Sequence, residues 1–504
     1  MLELGWLHFG ITQALCLALF TVVLLYFIYG RGKRYNLPPG PTPLPIIGNV
    51  LLFARSKKNV PLEMTDLAKT YGPIYHLRFG FMRTVVLNNY ELAKEALLTK
   101  PTEFAGRPRS YSMDIITEGG KDIALSDYGP TWRLQRKIAS KALRKYLSGS
   151  ELEKRVHKAF GEGAINALAA EKGLFNPREH ISYAVVSFIS AFCFGESHAD
   201  KDSLAVKMLK FSDFFLEVSA NGLPEDFLPA LRHLRLKKSQ IFRDYVKGVL
   251  DDLYKLYKEH EISFDPENIR DFTDCLIAAE REARTEEAPA DLAQLSNTHF
   301  VQTLSDIFAA GIDTSRFTLC WAIIYLVAFP DVQEKAFKEI ENVVGTSRLP
   351  GMDDRKSLRY TEAVLFESMR LRPVTPVGVP HAAIKDEQLG GYDIPKGTMV
   401  MINQWALHHD PEFWKDPEEF RPERFLEADG TPAPKPDNFL PFSMGRRVCL
   451  GEVVAKPELL LILAIFIQKF RFLKAPGEKL CLDPAGGIGG FVPHPYNVIV
   501  ESRN

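Results

Sequence analysis

The sequence predicts a mainly helical fold with a smaller β region, carried behind one N-terminal transmembrane helix. Three observations predict it. A charge-free apolar run opens the chain, long segments with apolar residues at three- and four-residue spacing fill most of the remainder, and only short β-like runs interrupt them.

The opening run comes first. From Leu4 to Gly30 there is no Lys, Arg, Asp or Glu, and Ile11 to Tyr29 is almost continuously apolar. That matches the roughly 20 residues that cross a bilayer. Glu3 precedes the run without a Lys or Arg, and no small-residue cleavage site follows before Arg31, which favours a retained anchor over a removable signal peptide. Arg31, Lys33 and Arg34 flank its end and place the following residues in the cytosol by the positive-inside rule. The chain thus divides into an anchor (1–30), a basic and proline-rich hinge (31–48) and one large domain (49–504). In the hinge, Pro38, Pro39, Pro41, Pro43 and Pro45 remove backbone donors and stiffen the chain, either as a spacer or as a strut that orients the domain.

Helices are predicted at Pro130–Tyr146, Arg235–His260, Thr298–Phe329 and Glu452–Phe470, and strands at Ile74–Phe79, Thr84–Leu87 and Thr398–Asn403. The charged run Glu280–Glu287 reads as a solvated loop. Pro457 falls inside the last helix, where proline costs about 3 kcal/mol, and a kink is expected there.

With 46% hydrophobic and 25% charged residues the chain can bury a sizeable core, and a formal net charge of -1 excludes a general attraction to nucleic acid. Cys16, Cys193, Cys275, Cys320, Cys449 and Cys481 are scattered without a C-x-x-C pair, so a secreted disulfide framework is excluded and most read as small buried apolar residues.

Cys449 stands apart. Gly445 and Gly451 bracket it within seven residues, letting the backbone bend closely around the sulfur. The apolar run from Val453 places it just before a helix N-terminus, whose amides and dipole favour a thiolate. A glycine-rich turn around a buried cysteine is the plain alternative. Phe442, Gly445, Arg447, Cys449 and Gly451, however, resemble the Phe-x-x-Gly-x-Arg-x-Cys-x-Gly signature of the haem-thiolate monooxygenases, the cytochrome P450 superfamily. The resemblance implies haem b between a proximal cysteine loop and a long distal helix, with Cys449 as iron ligand, Phe442 shielding the sulfur and Arg447 on a propionate. A thiolate ligand pushes electron density toward iron and favours O–O cleavage.

In Ala309–Ser315, Gly311 inside a predicted helix costs about 1 kcal/mol relative to alanine and asks for a close approach. Back-bonding of Thr314 to a helical carbonyl is the local alternative. The stretch resembles the family's Ala-Gly-x-Asp-Thr pattern. This implies that Ala310 and Gly311 leave room for dioxygen beside the substrate, that Thr314 bonds to bound oxygen and that Asp313 helps deliver protons. Glu367 and Arg370, an i,i+3 pair, resemble the family's Glu-x-x-Arg, and Pro422–Phe425 resembles the segment that adds a second arginine, Arg424. These residues are expected to lock the framework behind the haem. By the same resemblance Trp132 and Arg136 bind haem propionates, with Arg107 and His381 as further donors.

No flavin or nicotinamide motif is present: Gly486-Gly487-Ile488-Gly489-Gly490 lacks the third glycine of G-x-G-x-x-G and reads as a turn. Electrons are therefore expected from NADPH through a separate membrane-bound NADPH-cytochrome P450 reductase, with cytochrome b5 as a second donor. Arg133, Lys137, Lys141, Arg144 and Lys145 are either its docking face or a solvated run. With the anchor, this implies a single-pass protein of the endoplasmic reticulum membrane whose catalytic domain is cytosolic.

Phe104–Pro108, Leu371–His381 and Trp405–His409 look most like the steroid-hydroxylase branch, above all its 17-hydroxylase/17,20-lyase type, which implies a lipophilic, steroid-like substrate. Aryl-hydrocarbon or fatty-acid hydroxylation, isomerase or dehydratase chemistry without external electrons, and haem sensing are the rival readings. Asn221 is a candidate polar contact for substrate, yet Asn221-Gly222 is also a common turn pair. Phe211, Phe214, Phe215, Leu223, Phe227 and Leu228 suit an access channel, a membrane contact or the core equally well.

Overall fold

The computed structural model describes residues 35–504 except 57, 148–149, 196–203, 228, 235, 287–293, 488–489 and 504, together with isolated helical positions Gln13, Leu17, Phe20 and Thr21. Apart from those four positions, the expected transmembrane run and its basic flank lie outside the described residues.

The sheet is built by period-two alternation. Strands β1 (Ile74–Phe79) and β2 (Met82–Leu87) form an antiparallel hairpin; β3 (His381–Ala382) and β4 (Met399–Ile402) complete the order β1-β2-β4-β3, with β2 and β4 parallel. Ile74, Val85, Leu87, Val400 and Ile402 enter one apolar cluster, while Tyr75, Leu77, Val86, Met399 and Met401 enter another. Successive side chains of a strand point to opposite faces, so each strand feeds both clusters. The described part of the hinge lies along β1. His76 accepts a place between Pro38 and Pro39, donating its backbone N–H to the Pro39 carbonyl at 2.8 Å, and a Cβ on Gly40 would fall 2.2 Å from the His76 carbonyl oxygen.

The helical body is organised around α6. In chain order the elements that matter are α1 (Pro130–Leu147), α2 (Pro177–Phe194), α3 (Leu204–Asn221), α4 (Lys237–Ser263), α5 (Phe272–Glu286), α6 (Asn297–Ala328), α7 (Arg359–Leu371) and α8 (Glu452–Lys469). At 32 residues α6 is about 48 Å long, and Ser296 opens it with a capping box to His299. By length and composition it also satisfies the criteria for a membrane span. Leu319, Cys320, Trp321, Ala322, Ile323 and Ile324 are nevertheless fully buried within the main core, beside α2 and α8, so the apolar surround is other helices.

Expected helix and strand boundaries hold to within a few residues, with two corrections. Glu280–Glu286 is not a loop but the end of α5. Phe272, Leu276, Ala279 and Ala283 recur at three and four residues and form a buried stripe, while Glu280 accepts hydrogen bonds from the Tyr257 hydroxyl at 2.9 Å and from Arg284. Pro457 does not interrupt α8. The carbonyl that loses its helical donor belongs to Val453, an exposed residue. The glycine run is a hairpin, Pro484–Gly487 against Gly490–Pro493, whose two connecting residues lie outside the described set. Core packing claims the aromatic group: Phe211 stacks on Tyr245, Phe214 meets Phe242 edge-on and Leu223 is fully buried, whereas Leu228 lies outside the described residues.

Candidate active site

The cysteine loop is a strained turn set against the chain near Leu97. Ser443 (φ 61°) and Gly445 (φ 75°) both occupy the left-handed region, and a Cβ on Gly445 would lie 2.2 Å from the Leu97 carbonyl oxygen. Only glycine fits there. The turn brings the Cys449 N–H to the Phe442 carbonyl at 2.9 Å, three residues before α8 begins. Gly451 has ordinary angles (φ -77°), and a Cβ there would only touch the Cys449 sulfur at 3.8 Å. Its conformational freedom is not what the loop uses.

Cys449 is exposed, and what it is exposed to is an internal cavity of about 300 Å³ that it helps line. Burial pushes its thiol up, against the amides of Gly451 and Glu452 and the charge of Arg136, which pull down. The helix terminus thus acts in the expected direction but burial outweighs it. A bound metal ion reverses that balance, because a coordinating thiol is deprotonated outright.

The opposite wall is α6, which contributes Asp306, Ile307, Ala310, Gly311, Thr314, Ser315 and Thr318. The Thr314 hydroxyl donates to the Ala310 carbonyl at 2.7 Å, and Thr318 likewise to Thr314. The back-bonding alternative is therefore realised, and it leaves the lone pairs of the Thr314 oxygen to act as an acceptor at the cavity wall. Gly311 lines the cavity and also meets α2: a Cβ there would lie 2.7 Å from Ile189 Cδ1, so the glycine allows close packing of the two helices as well. Asp313 stands behind that wall rather than on it. It pairs with Arg316 at 2.7 Å, and Arg316 reaches Asp213 of α3 at the same distance. Burial raises the Asp313 carboxyl above its ordinary value despite Arg316.

One end of the cavity is cationic. Arg107, Arg136 and Arg447 all line it, and none has a carboxylate oxygen within 4.0 Å among the described residues. Arg107 donates to the carbonyls of Ala124, Val379 and Pro380, Arg447 to those of Ala105 and Ser126, and Arg136 to that of Val448. Burial, then repulsion from a neighbouring arginine, lowers Arg107 to about 9 and Arg447 to about 10. Asp122 and Asp127 oppose that lowering without pairing at contact distance, and buried like charges so thinly compensated are costly, so the group that fits here carries more than one negative oxygen. His381 donates from Nδ1 to the Phe104 carbonyl at 2.8 Å and is held neutral, with burial and Arg107 lowering it to about 3. Trp132 does not line the cavity. Its indole N–H is committed to the Ile123 carbonyl at 2.9 Å, and its ring carries Arg447 at 4.0 Å and Arg136 at 5.4 Å from the centroid.

Behind the cysteine loop, Glu367 and Arg370 are fully buried and joined by two bonds of 2.7 and 2.8 Å. Arg424 adds a bond of 2.8 Å to the same carboxylate, and Arg370 also donates to the carbonyls of His408, Pro417 and Glu419. The three residues singled out from sequence meet in one network.

Two cavity carboxyls escaped sequence reading. Glu458, nine residues after Cys449, is pushed up to about 8 by burial, against a hydrogen bond from Ser315, and its Oε1 has no partner. Its signal was a lone acid in the apolar run of α8. Asp306 lies just over two turns before Thr314, close to the same helix face. Asn221 ends α3 and Gly222 follows at φ 66°, as the turn reading expects; the Asn221 side chain lies outside the description. The basic run on α1 meets the acidic end of α5, where Lys141 pairs with Glu282 at 2.8 Å and Glu286 at 3.5 Å.

A thiol on one wall, small residues with a hydroxyl on the other, and unpaired cations at one end make a receptacle for a flat, dianionic metal porphyrin gripped through sulfur. The family model for Cytochrome P450 matches residues 38–501, and the chain belongs to that family. It is 40% identical over 491 residues to cytochrome P450 1A1 of Platichthys flesus, covering 94% of this chain and 93% of the relative, and 39% identical to that of Limanda limanda over the same shares. Among solved structures it is similar to zebra fish cytochrome P450 with progesterone (TM-score 0.78) and with abiraterone (TM-score 0.76). Each is 33% identical and covers 88% of this chain and 99% of that one. As a family member the protein is a monooxygenase that carries haem b and draws electrons from NADPH through a reductase.

Proposed function

We propose that the chain hydroxylates a steroid-like lipophile at the endoplasmic reticulum membrane. NADPH-cytochrome P450 reductase is its electron donor and cytochrome b5 a second one. Residues 1–30 anchor it in a single pass, 31–48 form the hinge and 49–504 the cytosolic catalytic domain. The observation that carries the reading is the cavity between Cys449 and α6, lined by Ile189, Phe192, Ala310, Val374 and Val379 and therefore suited to an apolar molecule. The steroid preference draws support from the progesterone and abiraterone in the zebra fish structures. A second reading, the activity of the P450 1A1 group, is favoured by the higher identity to those relatives, 40% against 33%.

When bound, the haem supplies the iron at which dioxygen is activated for insertion of one oxygen atom into substrate. The residues divide the remaining work. Cys449 supplies the thiolate, and Arg107, Arg136 and Arg447 hold the propionates, with Trp132 as the platform under Arg447. Glu367, Arg370 and Arg424 fix the wall behind the loop. Thr314 presents its oxygen at the cavity, and Asp313, through Arg316 and exposed Asp213, links that wall to solvent for proton supply.

The test is reconstitution with reductase and NADPH, followed by mass spectrometry of steroids, fatty acids and polycyclic aromatics under labelled dioxygen. One labelled oxygen in a steroid product, dependent on both reductase and NADPH, is expected. Product without either would overturn monooxygenation, and label confined to the other classes would overturn the steroid preference.

A further inference from the structure

Five glutamines are buried among the described residues, and four of them are used by the fold. Gln135 donates from Nε2 to the carbonyls of Lys121 and His299 and to the Thr303 hydroxyl, Gln302 to Glu118, Gln333 to the carbonyls of Leu326 and Phe472, and Gln468 to those of Gly345 and Arg348. The fifth is Gln404. At 2% exposure it makes no side-chain hydrogen bond among the described residues, and its buried Oε1 has no partner. The preceding residue is the opposite case: Asn403 donates from Nδ2 to the Pro61 carbonyl, the Thr65 hydroxyl and Asn88, and accepts the Ala406 N–H.

Gln404 is held where it stands. It opens the short helix Gln404–His408, in which the Trp405 N–H donates to the Pro376 carbonyl at 2.9 Å while the Trp405 ring stacks on His409 at 3.7 Å and meets Phe491 edge-on. Its amide nitrogen lies beside Gly378, where a Cβ would come within 3.4 Å of it. Gln404 and Gly378 both line the cavity, together with Pro373, Val374 and Val379. A buried amide without partners is destabilising, and here the cavity is the side from which a partner can come.

We propose that Gln404 is a specificity-determining residue: its carboxamide hydrogen-bonds an uncharged oxygen, a hydroxyl or a ketone, on an otherwise apolar substrate. This rests on the reading of the cavity as a monooxygenase substrate chamber. A hydroxyl suits it best, because the amide offers a donor at one end and an acceptor at the other, and a half-turn exchanges them. A hydrocarbon of the same shape leaves the amide buried and unpaired, so it binds less tightly.

The probes are pyrene with 1-hydroxypyrene, and 5α-androstane with its 3-hydroxyl and 17-hydroxyl derivatives. Their dissociation constants are read from the haem absorption shift of the full-length holoprotein. On at least one skeleton the wild type is expected to bind an alcohol about tenfold more tightly than the parent hydrocarbon, the worth of one hydrogen bond. Gln404→Leu and Gln404→Met, which fill similar space without the amide, should bring alcohol and hydrocarbon to within about twofold. Both variants should keep the wild-type haem content and, without ligand, melt at or above the wild-type temperature; an amide that served the fold would lower it. Alcohols and hydrocarbons that bind alike on both skeletons, a preference that survives in both variants, or variants that melt well below the wild type would each overturn the proposal. So would loss of haem from the variants with the alcohol preference intact, which assigns the amide to a porphyrin carboxylate. An alcohol preference on pyrene alone supports the proposal and counts against the steroid preference. If no apolar compound perturbs the haem while the thiolate spectrum is intact, the substrate-chamber reading itself fails, and the proposal with it.

Discussion

Gly445 and Leu97 stand in a contact that no other residue at position 445 reproduces: a Cβ there would be 2.2 Å from the Leu97 carbonyl oxygen, on backbone at φ 75°. The contact fixes where Cys449 emerges. Gly445→Ala therefore carries both a left-handed penalty and a clash with backbone, together about 3 kcal/mol or more. The thiolate-type Soret band of the reduced carbon monoxide complex should be largely lost in this variant. Gly451→Ala, which meets only the sulfur at 3.8 Å, should keep most of it.

The Glu367–Arg370 pair predicts a graded series. Arg370→Ala leaves a fully buried carboxylate with only the Arg424 guanidinium and the Arg421 N–H, and breaking such a pair costs about 3–5 kcal/mol. Arg424→Ala should cost less, since Arg370 still makes both of its bonds to Glu367. Thermal unfolding midpoints and haem content of purified protein measure the order; a larger loss in Arg424→Ala than in Arg370→Ala would contradict it.

Gly311 and Ile189 should behave as a coupled pair. Gly311→Ala brings a methyl group 2.7 Å from Ile189 Cδ1 and should destabilise, whereas Ile189→Val removes that carbon. A double-mutant cycle is expected to return a favourable coupling of about 1 kcal/mol. Simple additivity would contradict the contact.

Glu458 makes stability depend on pH. Its carboxyl is raised from 4.5 to about 8 in the folded protein, so between those values the fold binds a proton that the unfolded chain has released. Stability from this group is fully present below about pH 4.5, falls as pH rises through the window and levels off above pH 8. Glu458→Gln lacks the term. Relative to wild type it should gain on the order of 1–4 kcal/mol between pH 5 and pH 8 in denaturant titrations. A constant difference across that range would refute the assignment.

What was legible in sequence was short-range. The cysteine loop, the Glu367–Arg370 spacing and the 3.6-residue period of α6 are local patterns, and the fold realises each. What escaped depends on contacts between distant segments. The link from Asp313 through Arg316 to Asp213 of α3, and the contact of Gly311 with Ile189 of α2, join residues far apart in the chain. Trp132 donates to the Ile123 carbonyl, in the segment that precedes α1. Asp306 became visible only once Asp122, 184 residues earlier, shared an amide with it. The charge run ending α5 misled because Arg281, Glu282, Arg284 and Glu286 are exposed while Ala279 and Ala283 are buried, and the buried Glu280 is satisfied by Tyr257.

The central claim is that Cys449 is the sulfur that holds the haem iron. The direct measurement is the absorption spectrum of the reduced protein under carbon monoxide, for wild type and Cys449→Ser. A thiolate-type Soret band in the wild type, absent from the serine variant even where haem is retained, is the predicted result. The same band in both proteins, or in neither, would contradict it.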